Sequence, residues 1–110
     1  MPSSIPYSAA APSREEIDAR RGLLLLDFGT NWCGHCHAAQ EPVAAALAAY
    51  PDLQHIRVED GPGRPLGRSF RVKLWPTLIL LRDGRELDRL VRPTETAAVA
   101  QWLARHLPLA

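Results

Sequence analysis

Residues 23–28, Leu-Leu-Leu-Leu-Asp-Phe, form a continuous apolar run holding a single acid. A run of this length bounded by turn residues reads as a strand covered on both faces. Gly29-Thr30-Asn31 breaks it, and from Cys33 to Tyr50 the composition shifts to Ala, Gln, Glu and Leu, which favour helix. Ala39, Val43, Leu47 and Tyr50 recur there at helical spacing and give one apolar stripe. A buried strand handing over to a helix, with a further strand beyond it, implies parallel pairing through a right-handed crossover. The chain is thereby held to an α/β architecture.

The remaining elements fit around that unit. Residues 1–12 read as a flexible N-terminal segment, with at most a short edge strand near Ile5-Pro6-Tyr7, and residues 13–110 as a single domain. Ser13 with Glu16 three positions later fits a capping box, opening a short helix that runs to about Arg21 and stops at Gly22. Pro42 should kink the long helix. Residues 53–58 alternate loosely and read as a second strand; residues 59–65, rich in Gly and Pro, read as a loop. A short helix is expected over residues 66–70. Residues 77–81 and 86–91 flank Asp83-Gly84, a type I′ hairpin signal. Val99, Trp102, Leu103 and Leu107 mark a C-terminal amphipathic helix opening near Thr94. The expected fold is a central mixed β-sheet flanked by α-helices.

Charge and cysteine usage narrow the function. Thirteen basic side chains against twelve acidic leave a net charge of +1 in 110 residues, which argues against a polybasic nucleic-acid or membrane-surface binder. No apolar run approaches the roughly 18 residues of a membrane-spanning helix. Arg20-Arg21 precedes four leucines, but Asp27 ends that stretch well short of the about 7–15 apolar residues of a secretory signal. The chain is therefore expected in a reducing cytoplasm, where a stable structural disulfide is disfavoured. Its two cysteines, Cys33 and Cys36, stand three positions apart and cannot staple a disulfide scaffold.

Trp32-Cys33-Gly34-His35-Cys36 falls where the buried strand meets the helix, so both sulfurs lie within disulfide reach at the helix start. Unpaired backbone N–H groups and the positive end of the helix dipole there favour thiolate over thiol. Cys33 is expected to be the more exposed nucleophile and Cys36, one turn in, the shielded thiol. Asp27, an acid among leucines, is expected to be buried, with pairing to Arg57 as the bland alternative. A positive or hydrogen-bonding His35 would favour the reduced form and raise the reduction potential.

Asp27-Phe28, the Trp-Cys-Gly-His-Cys block, a proline in the following helix, Trp75-Pro76-Thr77 opening a strand, and Asp83-Gly84 together resemble the thioredoxin superfamily over roughly residues 13–107. The Cys-Gly-His-Cys tetrapeptide is similar to that of protein disulfide isomerase domains, whereas most thioredoxins carry Pro where His35 stands. The resemblance implies a thioredoxin-like fold and a monomeric thiol–disulfide oxidoreductase using a reversible Cys33–Cys36 couple. It needs no cofactor or metal; its partners would be protein disulfides and a dithiol reductase or other electron donor. By the same resemblance Asp27 relays the Cys36 proton, and Pro76 is a cis-proline facing the cysteines. Trp32, Gly34, Trp75, Pro76, Thr77 and Arg92 would line the substrate groove. Three departures stand out. Pro42 is one position later than the family's helix proline, about 100° further round the helix. Gly29 replaces a frequent aromatic, and Arg92-Pro93 replaces a groove glycine.

Rival readings use the same residues. A redox-sensing binding module would occupy the same groove without turnover. Cys33 to His37 also spells C-x-x-C-H, the c-type haem attachment pattern, but the sole methionine is Met1. Zinc would crowd Cys33, His35, Cys36 and His37 into one turn without a second ligand pair. His55 and His106 read as surface residues.

Overall fold

The computed structural model describes residues 6–108. Its elements follow in the order α1 (Arg14–Ala19), β1 (Leu23–Gly29), α2 (Gly34–Leu47), β2 (Gln54–Glu59), α3 (Pro65–Ser69), β3 (Thr77–Arg82), β4 (Arg85–Val91) and α4 (Thr96–Ala104). The strands form one mixed sheet ordered β2-β1-β3-β4. β1 pairs in parallel with β2 and antiparallel with β3, and β3 pairs antiparallel with β4 across the Asp83-Gly84 turn. Both turn residues have positive φ, 52° and 80°, as a type I′ turn requires.

Period-two alternation along β1 divides the core into two layers. Leu25 points to one face with Leu78 and Leu80, covered by Ala39, Val43 and Ala46 of α2 and Val99, Trp102 and Leu103 of α4. Leu24, Leu26 and Phe28 point to the other with Ile79 and Leu81, covered by Ile17 of α1 and Leu66 and Phe70 beside α3. Each such leucine contributes roughly 1.5–3 kcal/mol of burial free energy. Asp27 shares the α2/α4 face with Leu25, at the end of β1 that feeds α2.

Local chemistry explains most boundaries. The Ser13 hydroxyl accepts from the Glu16 N–H while the Glu16 carboxylate accepts from the Ser13 N–H, the reciprocal capping box. Helix α2 runs through Pro42 without ending, because its other turns are held by the buried side of the stripe. Helix α4 opens two residues later than Thr94, with Glu95 as N-cap.

Within the lead-in expected over residues 1–12, Tyr7 and Ser8 are held by hydrogen bonds. The Tyr7 N–H donates to Asn31 Oδ1 at 2.8 Å and Asn31 Nδ2 donates to the Tyr7 carbonyl at 3.2 Å. Ser8 adds a parallel bridge to Val58 at the β2 edge. Tyr7 is buried at 5% exposure. Ile5 lies outside the described residues.

Candidate active site

Cys33 is the N-cap of α2, in extended backbone (φ −82°, ψ 124°), and Cys36 sits one turn inside the helix. Both thiols are free. Cys33 keeps 8% exposure against 1% for Cys36, so the more N-terminal sulfur is the one nearer solvent. Burial, foremost, pushes the Cys36 thiol up from 9.0 to about 11, and the adjacent Cys33 adds to it; the Thr30 N–H and the Tyr7 hydroxyl oppose the rise. A group whose folded value is raised contributes stability that is complete below the unfolded value and lost as pH climbs through the folded one. The reduced protein should therefore lose stability between pH 9 and about 11, by at most about 2–3 kcal/mol. Denaturant melts of reduced wild type and Cys36→Ser across that window check this: the wild type should fall more steeply, and parallel curves would contradict it.

Asp27, 3% exposed, lines the same cavity as Cys36 and has three partners. Its Oδ1 accepts from the Tyr7 hydroxyl at 2.7 Å. Its Oδ2 lies 3.2 Å from Arg57 Nε and 3.3 Å from His55 Nε2. The β1–β2 register sets this up by placing Arg57 opposite Asp27, with His55 two residues earlier on the same face. Burial and pairing with Arg57, posed as alternatives, thus hold together. His55 is half-buried against Asp27 rather than a surface residue, and His106 is also partnered, its Nε2 3.0 Å from Asp88 Oδ2. A cavity of about 280 Å³, lined among others by Cys36, Asp27, Tyr7, His55, Arg57 and Pro76, runs behind the cysteines.

The outer surface is aromatic. Trp32 is 76% exposed and meets Trp75 edge-on at 5.7 Å between ring centroids. Trp75 packs against the Tyr7–Cys33–Cys36 cluster, and its indole N–H donates to Asp60 Oδ2 at 2.8 Å. The Trp75–Pro76 peptide bond is cis. Arg92 adopts φ 52°, which explains why a glycine suits this position. Its Nε donates to the Trp75 carbonyl at 2.8 Å, so the arginine folds along the groove wall. Thr77 is buried and its hydroxyl donates to the Leu74 carbonyl at 2.6 Å, shaping the Pro76 turn instead of facing the groove. Gly34 is exposed, with open space where a side chain would stand. His35 is exposed beside it, while His37 Nε2 lies 2.5 Å from the Asn31 carbonyl.

Sequence reasoning missed Tyr7. A Cβ at Gly29 would fall 2.7 Å from Tyr7 Cζ, 2.8 Å from its hydroxyl and 2.5 Å from Cys36 Sγ. The Tyr7 ring thus fills the space beside Gly29, and the missing aromatic at 29 was the available signal.

The Thioredoxin family model matches residues 7–105. Thioredoxin 2 of Pseudomonas aeruginosa PAO1, solved in its reduced form, superposes with a TM-score of 0.86 at 51% identity, covering 94% of this chain and 95% of that one. Thioredoxin of Chlamydia trachomatis is 33% identical over 86 residues, 77% of this chain and 83% of its own length. Protein disulfide-isomerase A2 of Pongo abelii is 37% identical over 90 residues, 76% of this chain, but the match spans only 17% of that longer protein. A family model spanning nearly the whole described domain, together with a half-identical solved relative, places the chain in the thioredoxin family, the thiol–disulfide oxidoreductases.

Proposed function

We propose that Cys33 is the attacking thiol and Cys36 the resolving thiol in the reduction of protein disulfides. The carrying observation is the exposure difference between two free cysteines at one helix start, the deeper one sharing a cavity with a buried carboxylate. The Cys33 thiolate attacks one sulfur of a substrate disulfide, the substrate S–S bond breaks, and its other sulfur leaves as a thiolate. Cys36, once deprotonated, attacks Cys33 Sγ. The mixed disulfide breaks, the second substrate sulfur leaves reduced, and Cys33 and Cys36 end oxidised by two electrons. A dithiol reductase, or another thiol donor, returns them to the reduced state.

Trp32, Trp75, Gly34 and Pro76 form the face on which an extended substrate would lie; Thr77 and Arg92 shape its wall. Asp27 serves as the proton acceptor for Cys36. In a reducing compartment such as the cytoplasm, net flux runs toward substrate reduction, with the chain acting as a monomer; a more oxidising surrounding would turn the same couple toward disulfide formation or isomerisation. Equilibration of the Cys33–Cys36 couple against a glutathione series tests the proposal: a single reversible two-electron transition is expected, and its absence would remove the proposal.

His35, exposed beside the pair, sets where that transition falls. A hydrogen bond or positive charge that its ring offers to the Cys33 thiolate would favour the reduced form, and each roughly 1.4 kcal/mol of such preference raises the potential by about 30 mV. His35→Pro should lower the measured potential. An unchanged or higher value would show that His35 has no part in it.

A further inference from the structure

Tyr7 belongs to a segment without secondary structure of its own, yet it is held from four sides. Asn31 exchanges two hydrogen bonds with its backbone, and the next residue, Ser8, donates its N–H to the Arg57 carbonyl and accepts from the Glu59 N–H. The Arg57 guanidinium lies 3.9 Å from the ring centroid. The ring packs against Cys33 and Cys36. Its hydroxyl donates to Asp27 Oδ1 at 2.7 Å, and hydroxyl and Cys36 sulfur flank the one point that a side chain on Gly29 would occupy.

We propose that the Tyr7 hydroxyl is a catalytic proton relay set between Cys36 and Asp27, a proposal that rests on the reading of Cys36 as resolving thiol. The Cys36 S–H proton passes to Tyr7 Oη as the Tyr7 O–H proton passes to Asp27 Oδ1. Tyr7 ends unchanged, Cys36 becomes a thiolate and Asp27 a neutral acid. The thiolate then attacks Cys33 Sγ and expels the substrate thiolate, and Asp27 gives up its proton through the cavity beside His55 and Arg57. Burial, and then the Asp27 charge, push the tyrosine's pKa well above its ordinary value, so the phenol stays protonated and passes a proton without itself holding the charge. The groups facing this path are Asp27, Arg57, His55 and the two cysteines.

Tyr7→Phe keeps the ring and removes the hydroxyl, and with it the hydrogen bond to Asp27. The probe is a symmetric nitrophenyl disulfide under single turnover, which releases one coloured thiolate on capture by Cys33 and a second on resolution by Cys36. Capture should match wild type, while resolution at pH 7 slows at least about tenfold, within the reach of general acid–base catalysis. The deficit should narrow from pH 6 to 9 as hydroxide takes over deprotonation. Because both groups serve one path, Tyr7→Phe with Asp27→Asn should resolve no more slowly than Asp27→Asn alone. Wild-type resolution in Tyr7→Phe overturns the relay. So does a pH-independent deficit that multiplies with that of Asp27→Asn, which is the signature of packing alone. A thermal melt of each variant separates misfolding from slow chemistry. Failure of Cys36→Ser to hold any captured probe would instead overturn the resolving-thiol reading beneath the relay.

Discussion

Cys33→Ser should lower disulfide reduction by at least about a thousandfold, because a serine hydroxyl cannot supply the thiolate that attacks a disulfide sulfur. Cys36→Ser should behave differently. It keeps Cys33 at the N-cap of α2, so capture proceeds, but nothing releases the substrate and a covalent mixed disulfide accumulates. Mass spectrometry of the unreduced adduct, alongside a turnover assay, reads both. The asymmetry follows from position: both cysteines are buried, but Cys33 at the helix N-cap keeps 8% exposure, whereas Cys36, one turn in, keeps 1%. Equal residual activity in the two variants, or an adduct on Cys36 in Cys33→Ser, would reverse the assignment.

Gly29→Ala should destabilise the protein by about 1–3 kcal/mol, the usual range for forcing atoms into a packed core. The added Cβ would stand 2.5 Å from Cys36 Sγ and under 3 Å from two Tyr7 atoms, closer than real Cβ contacts allow. For a domain of this size that range lowers Tm by at least about 4 °C. Two of the three crowded atoms belong to Tyr7, so Tyr7→Ala in the Gly29→Ala background should cost less than the two single losses added together. Gly34→Ala, which meets open space, is the control and should leave Tm nearly unchanged. Differential scanning calorimetry of the four variants decides it. A Gly29→Ala protein as stable as wild type would mean that Tyr7 does not occupy this space.

What was legible in the sequence was what local chemistry determines. The leucine run of β1, the helix-forming stretch of α2, the Ser13 capping box and the Asp83-Gly84 turn each carry their signal within a few residues. The cysteine pair was legible for the same reason, since its spacing and its place at a helix start are both local. The partners of Asp27 were only half legible. Burial followed from the surrounding leucines, but its joint hold on Arg57 and His55 depends on the parallel register of β1 and β2. Tyr7 carried no local signal of its role, because its link to Asp27 spans 20 residues; the small residue at position 29 was the one indirect pointer. Arg92 and Thr77 lie next to Trp75 and Pro76, but their side chains turn to the backbone carbonyls of Trp75 and Leu74, which the sequence does not signal.

The central claim is that this is a turnover catalyst, not a sensor that exchanges once with a tight partner. Counting insulin disulfides reduced per chain, with excess dithiol donor and the uncatalysed rate subtracted, tests it directly. Many turnovers per chain in the wild type and none in Cys33→Ser are expected. Reduction that stops at one disulfide per chain, however much donor is supplied, would contradict the account.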